Sequence, residues 1–217
     1  MKTRFDEQVD QLNAQMIEMG AMIETTIEDA CTALQNADLP KARAIIEADS
    51  TVDRKEREIE SLCIRMLLTR QPVAHDLRVV SSALKMITDM ERIGDHAADI
   101  SEIVTFLDYS AAMQPEHFGA MSRAAIDMVH RAIDAYVHQD VALAREVITS
   151  DDEVDELFMD VKHELIELLG ADASSGGEAL DLLMIAKYFE RIGDHATNIA
   201  EWVEYSVTGL YKGEVLQ

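Results

Sequence analysis

The chain has 217 residues, 48% hydrophobic and 28% charged, so it can bury a sizeable core and is too apolar for disorder. Nineteen Lys and Arg stand against 42 Asp and Glu, a formal charge of −23 that repels nucleic-acid backbones and anionic lipid and favours metal cations or basic partner surfaces. Three prolines and nine glycines leave little material for turns, which argues against a many-stranded β protein.

Along the chain, Met1-Lys2-Thr3-Arg4-Phe5-Asp6 has no apolar run behind it and is not read as a signal peptide. No stretch approaches ~18 consecutive apolar residues, so no direct membrane insertion is expected, and a soluble cytoplasmic protein is. A first helix is predicted over about 5–34, broken at Asn36-Ala37-Asp38-Leu39-Pro40. A second ends at Thr69-Arg70-Gln71-Pro72, and Pro72 suits the first turn of a third. Residues 109–115 separate the third from a fourth, and His138-Gln139-Asp140 makes a short turn into a fifth. The Ser/Gly-rich segment 170–177 reads as a loop before a sixth helix over about 178–207. Between these breaks apolar residues recur at three and four, not at two, and no strand is predicted. Cys31 and Cys63, isolated from one another, read as small buried residues.

The chain repeats itself. Glu91-Arg92-Ile93-Gly94-Asp95-His96-Ala97 returns unchanged as Glu190-Arg191-Ile192-Gly193-Asp194-His195-Ala196, 99 residues later. Asp49-Ser50-Thr51-Val52-Asp53 pairs with Asp151-Asp152-Glu153-Val154-Asp155 at an offset of 102, so the second copy is shorter near the 170–177 loop. A period near 100 residues is too long for a solenoid unit. The expected fold is therefore all-α: two homologous antiparallel three-helix bundles, residues 1–111 and 112–217, six long helices in all.

On a helical wheel the third helix carries Ile93, Ala97, Ile100, Val104 and Leu107 on one apolar stripe, and Glu91, Asp95 and Glu102 fall roughly 160–180° away. Asp99 lies nearer ~120°. The sixth helix repeats the arrangement with Ile192, Ala196, Ile199 and Val203 opposite Glu190, Asp194 and Glu201. The acids are thus expected on two outer surfaces. Carboxylates at i and i+4 stand one turn apart and repel when both are charged, which a cation relieves. Asp49 with Asp53, and Asp151 with Asp155, have the same spacing beside the apolar positions Val52, Ile59, Val154 and Val161. If neighbouring helices meet, each half assembles four carboxylates, a set of hard oxygens suited to Mg, Mn, Ca or Fe and able to accept Zn. The alternative is a merely solvated acidic face.

His96 and His195 sit on the shoulder of the stripe and are expected at the core edge, satisfied by Arg92 or by Asp99 (Asn198 in the second copy). Gly94 and Gly193 in mid-helix suggest close helix contact or metal access. Arg92 and Arg191 are expected to pair with nearby carboxylates, and Trp202 to serve packing or an interface. The chain has no phosphate-binding loop, dinucleotide fingerprint, nucleophile elbow or H-E-x-x-H, and Glu91 to His96 is not the Glu-x-x-His spacing of di-iron bundles.

The doubled Glu-Arg-Ile-Gly-Asp-His-Ala segment resembles the signature of the PhoU family, accessory regulators of bacterial phosphate uptake. Gln71-Pro72-Val73-Ala74-His75-Asp76-Leu77-Arg78 is similar to the segment opening that family's third helix, and the Val207-Thr208-Gly209 ending is similar too. The resemblance implies two three-helix bundles whose paired acids hold surface metal clusters of divalent or ferric ions (Fe, Zn, Mn or Mg). Carried over, these are Asp49 with Asp53, Glu91 with Asp95, Asp151 with Asp155 and Glu190 with Asp194. Asp99 extends the ladder in the first half, where the second has Asn198. The resemblance also implies a non-enzymatic negative regulator of phosphate uptake and starvation signalling, cytoplasmic and peripheral to the inner membrane. Its partners would be the phosphate ABC transporter's ATPase subunit and a phosphate-sensing histidine kinase. Met- and Trp-bearing surfaces could support a homodimer. The competing readings are a metal-dependent phosphohydrolase on a carboxylate cluster and a metal-storage bundle.

Overall fold

The computed structural model describes residues 4–70, 72–108 and 117–215. Among the described residues the fold is all-α in seven helices: α1 (Arg4–Asn36), α2 (Leu39–Ala48), α3 (Ser50–Arg70), α4 (His75–Val104), α5 (Phe118–His138), α6 (Val141–Ala171) and α7 (Gly176–Thr208). The seventh arises because the expected second helix is interrupted at a single residue, Asp49, between α2 and α3. In the second half the equivalent rod, α6, runs unbroken. Six long rods therefore stand, as expected. The division placed at residue 111 lies outside the described residues.

The same local device starts the second rod of each half. Ala37 and Gln139 take left-handed conformations, with φ of 51° and 54°. The Asp38 amide donates to the Ala33 carbonyl at 2.9 Å, and the Asp140 amide to that of Ala135 at 2.9 Å, closing Schellman turns without glycine. Each aspartate then caps the next helix, Asp38 accepting from the Lys41 amide and Asp140 from the Leu143 amide, both at 3.0 Å. The chain thus reverses twice by the same hydrogen bonds.

Three boundaries depart from the sequence reading. Pro72 precedes α4, which begins at His75, because Ala74 is left-handed (φ 50°) and cannot continue a helix backward. The Ser/Gly-rich loop is shorter than expected: Asp172 accepts from the Ser174 amide at 2.9 Å, a 3-10 turn spans Ala173–Ser175, and α7 already starts at Gly176. After α7, Leu210–Tyr211 (β1) pairs antiparallel with Glu214–Val215 (β2) through Lys212 and Gly213, both at positive φ. That is a two-residue hairpin turn the apolar period could not reveal.

The apolar stripes meet in one continuous core, including Met16, Ile23, Ile59, Met90, Ile93, Phe189, Ile192 and Val203, with Cys31 and Cys63 buried and free. The two halves pack chiefly through α4 on α7, and α1 also reaches α5. Arg78 of α4 reinforces this seam by donating from Nε to the Ser206 carbonyl at 3.2 Å and from Nη2 to that of Val207 at 3.4 Å. A cation there satisfies carbonyls left open at the end of α7 and complements its negative end. Trp202 packs on Tyr211 of the hairpin, ring centroids 4.2 Å apart. No helix among the described residues is long and apolar enough to cross a membrane.

Candidate metal centre

Glycine brings the acids together. A Cβ on Gly94 would lie 3.2 Å from Val52 Cγ1, and one on Gly193 would lie 3.1 Å from Asp151 Oδ1 and 3.4 Å from Val154 Cγ1. A mid-helix glycine costs about 0.5–1 kcal/mol relative to alanine. Here each one lets a neighbouring helix approach, α3 on α4 and α6 on α7, which is the close contact the sequence suggested.

In the first half this approach places Asp49, Asp53 and Asp95 so that one carboxylate oxygen from each lies within 4.8 Å of the other two. All three are half-buried. Burial, then the charges of Asp95, Asp53 and Asp99, pushes the Asp49 carboxyl up from its ordinary value. Burial, then Asp95, does the same to Glu91, one turn earlier on α4. Partial relief comes from Arg92, whose Nη1 donates to Asp95 Oδ2 at 2.8 Å and whose Nε is 3.6 Å from Glu91 Oε2, and from Arg57 at 3.7 Å from Asp53. Three crowded, half-desolvated carboxylates are a hard-oxygen donor set short of positive charge, and a small multivalent cation fits that chemistry. Asp99, 41% exposed, instead stands with its Oδ2 3.5 Å from His96 Nδ1.

The second half is a looser copy. Asp151 is half-buried, and burial, followed by Asp194, Asp155 and Glu190, pushes its carboxyl up to about 6. Asp155 and Asp194 are exposed, and Glu190 is ion-paired with Lys187. The structure thus gathers one tight trio and one repelling neighbourhood around Asp151.

The wheel's outer surface is corrected for the first half, while Asp194 in the second is exposed as expected. The face opposite Ile93 is not open water, because α4 is packed by α1, α2, α3 and α7. The acids line the seam with α3, half-buried. A wheel shows one helix's periodicity and not how many neighbours that helix has.

The histidines also resolve. His96 has its expected partner Asp99, but His195 Nδ1 donates to Asp89 Oδ1 at 2.8 Å, and Asn198 Nδ2 donates to the same oxygen at 3.3 Å. The two imidazoles face each other across the seam, centroids 5.4 Å apart. Asp89 lies outside the repeated motif, and nothing near it in sequence signals the contact.

Raised pKa values fix a sign. Asp151 holds its proton more tightly folded than unfolded, so its charge costs stability above about pH 6, and that cost fades as pH falls from 6 toward 4. The whole shift would be about 3 kcal/mol, but the group is more than half solvated and roughly 1 kcal/mol survives screening. Asp151→Asn in chelator-treated protein should therefore melt about 2–4 °C higher at pH 8 and no higher at pH 4. Thermal melts at the two pH values check this.

With this geometry in view, the comparisons with known proteins are decisive. A family model described as the PhoU domain matches twice, over residues 16–104 and 118–203. The chain belongs to the PhoU family. It is 35% identical to the phosphate-specific transport system accessory protein PhoU homolog of Clostridium acetobutylicum, over 94% of each chain. It is 34% identical to the Escherichia coli K12 accessory protein PhoU, over 95% of this chain and 86% of that one. The crystal structure of the phosphate transport system regulatory protein PhoU from Streptococcus pneumoniae superposes with a TM-score of 0.90 at 27% identity, covering 96% of this chain and 99% of that chain. The two PhoU repeats coincide with the two copies of the glycine-centred seam: Gly94 and Asp95 fall in the first, Gly193 and Asp194 in the second.

Proposed function

We propose that this PhoU-family chain is a non-enzymatic regulator of phosphate uptake. It docks from the cytoplasm on the ATPase subunit of the phosphate ABC transporter and on a phosphate-sensing histidine kinase, and it restrains uptake and starvation signalling when phosphate is plentiful. The observation that carries the reading is near-full-length similarity to proteins named as accessory or regulatory components of phosphate transport. The −23 charge supports it, since an acidic body meets basic partner surfaces quickly and with selectivity.

In this reading Asp49, Asp53 and Asp95, with Glu91 beside them, hold a divalent or ferric ion. Asp151, Asp155, Glu190 and Asp194 hold a second, weaker one. When bound, such an ion neutralises acid charge on the face it occupies. The residues themselves set what that changes: Arg92 and Arg57, now paired with Asp95, Glu91 and Asp53, lose part of their counter-charge, and the surface offered to a partner becomes less acidic.

Tagged protein recovered from phosphate-replete and phosphate-starved cells should retain the transporter ATPase and the kinase in the replete sample, as read by mass spectrometry. Recovery of neither under both conditions rejects the adaptor reading. Turnover of phosphate esters with Mn²⁺, lost on Glu91→Ala, would instead support the phosphohydrolase.

A further inference from the structure

The arginines of the repeated motif meet although their helices belong to different halves. Asp95 faces α3 of its own half, whereas Asp194 reaches the groove between the halves. Arg92 and Arg191, equivalent positions of the two repeats, converge from α4 and α7 on one groove of about 620 Å³ between the halves. Lys212, from the hairpin, lines the same groove. Three of the chain's nineteen Lys and Arg thus meet in one recess of a protein carrying −23.

Their counter-charges are incomplete. Two carboxylates line the groove, Asp194 and Glu201. Glu201 is taken by Lys212 at 2.9 Å. Arg92 is tied to Asp95 and Glu91, neither of which lines the groove. Arg191 is exposed and, contrary to the sequence expectation, has no ion-pair partner among the described residues. A second observation is independent of charge: Thr197 lines the groove, and its hydroxyl oxygen is buried with no hydrogen-bond partner. A buried hydroxyl left unpaired is unfavourable, so turning the Thr197 side chain toward a ligand that accepts a hydrogen bond is favoured.

We propose that this groove binds a small phosphorylated anion, clasped between Arg92 of the first half and Arg191 of the second, with the Thr197 hydroxyl donating to it. Guanidinium groups match oxyanions with paired, directed donors, and phosphate offers acceptors to two of them at once. The volume exceeds what a single orthophosphate fills and lies in the range of small-molecule sites. Since the clasp takes one arginine from each repeat, the ligand ties the two halves together at the α4–α7 seam. The groove adjoins the acid trio through Arg92, which must turn from Asp95 to meet the ligand, and requires no metal in the trio.

Calorimetric titration of the chelator-treated protein at low ionic strength tests this with three probes in turn: orthophosphate, pyrophosphate and ATP. Which of them binds tightest distinguishes an inorganic from a nucleotide source. Saturable one-to-one binding of at least one probe is expected. Its affinity should fall about tenfold or more in Arg191→Gln, with Arg191→Lys intermediate and helical circular dichroism unchanged. Thr197→Val should weaken it less, without loss of fold. Absence of saturable binding for all three probes at millimolar concentration overturns the proposal. So does an affinity in Arg191→Gln equal to that of the native chain.

Discussion

Manganese should raise the melting temperature of the chelator-treated protein by about 5–10 °C when supplied at a hundredfold excess over its dissociation constant, and Asp49→Asn/Asp53→Asn/Asp95→Asn should abolish the rise. The size follows from mass action. A ligand at 100 times Kd stabilises the folded state by about 2.7 kcal/mol, and a domain of this length gains about 2–4 °C per kcal/mol. The same triple variant should melt above the native chain when metal is absent. Asp49 and Glu91 are held at raised pKa by burial and by each other's neighbours, and removing three of those charges removes the repulsion. The two effects have opposite signs, which separates a metal site from a solvated acidic face. A solvated face gives no manganese-dependent difference between the proteins. Collapse of the variant with metal absent would make the acids structural.

Gly94→Val should cost about 1–3 kcal/mol, seen as a fall in melting temperature of about 2–10 °C with helical content retained at low temperature. The reason is geometric. A Cβ at this position already lies 3.2 Å from Val52 Cγ1 and 3.5 Å from its Cβ, so two further methyl carbons must push α3 off α4. Gly94→Ala should be near neutral, since its tight but single contact is offset by about 0.5–1 kcal/mol of helix propensity. The variant also tests what builds the acid trio. It leaves Asp49, Asp53 and Asp95 in place chemically but moves two of them away from the third. Manganese stabilisation should therefore shrink in Gly94→Val and persist in Gly94→Ala. Equal stabilisation in both would mean that the spacing of α3 and α4 does not set the site.

Helicity, the twofold repeat and the acid spacing were legible in the chain because each is a local pattern. Apolar residues at three and four mark helices, seven identical residues at an offset of 99 mark the repeat, and Asp at i and i+4 places two carboxylates one turn apart. The role of Gly94 and Gly193 was legible too, since a mid-helix glycine is costly enough to call for a reason. The break at Asp49 was not: the residues around it keep helical periodicity, and Asp49 itself has helical dihedrals.

What no local pattern contains is the identity of the neighbour. Asp89 meets His195 across 106 positions, and Arg78 meets the end of α7 across 128. The convergence of Arg92 with Arg191 exists because α4 and α7 pack against each other. The wheel assigned the acids correctly to the face opposite Ile93 and wrongly to open water, because exposure depends on every helix packed around α4. Periodicity sets which residues share a face; only the packing of the two halves decides what that face meets.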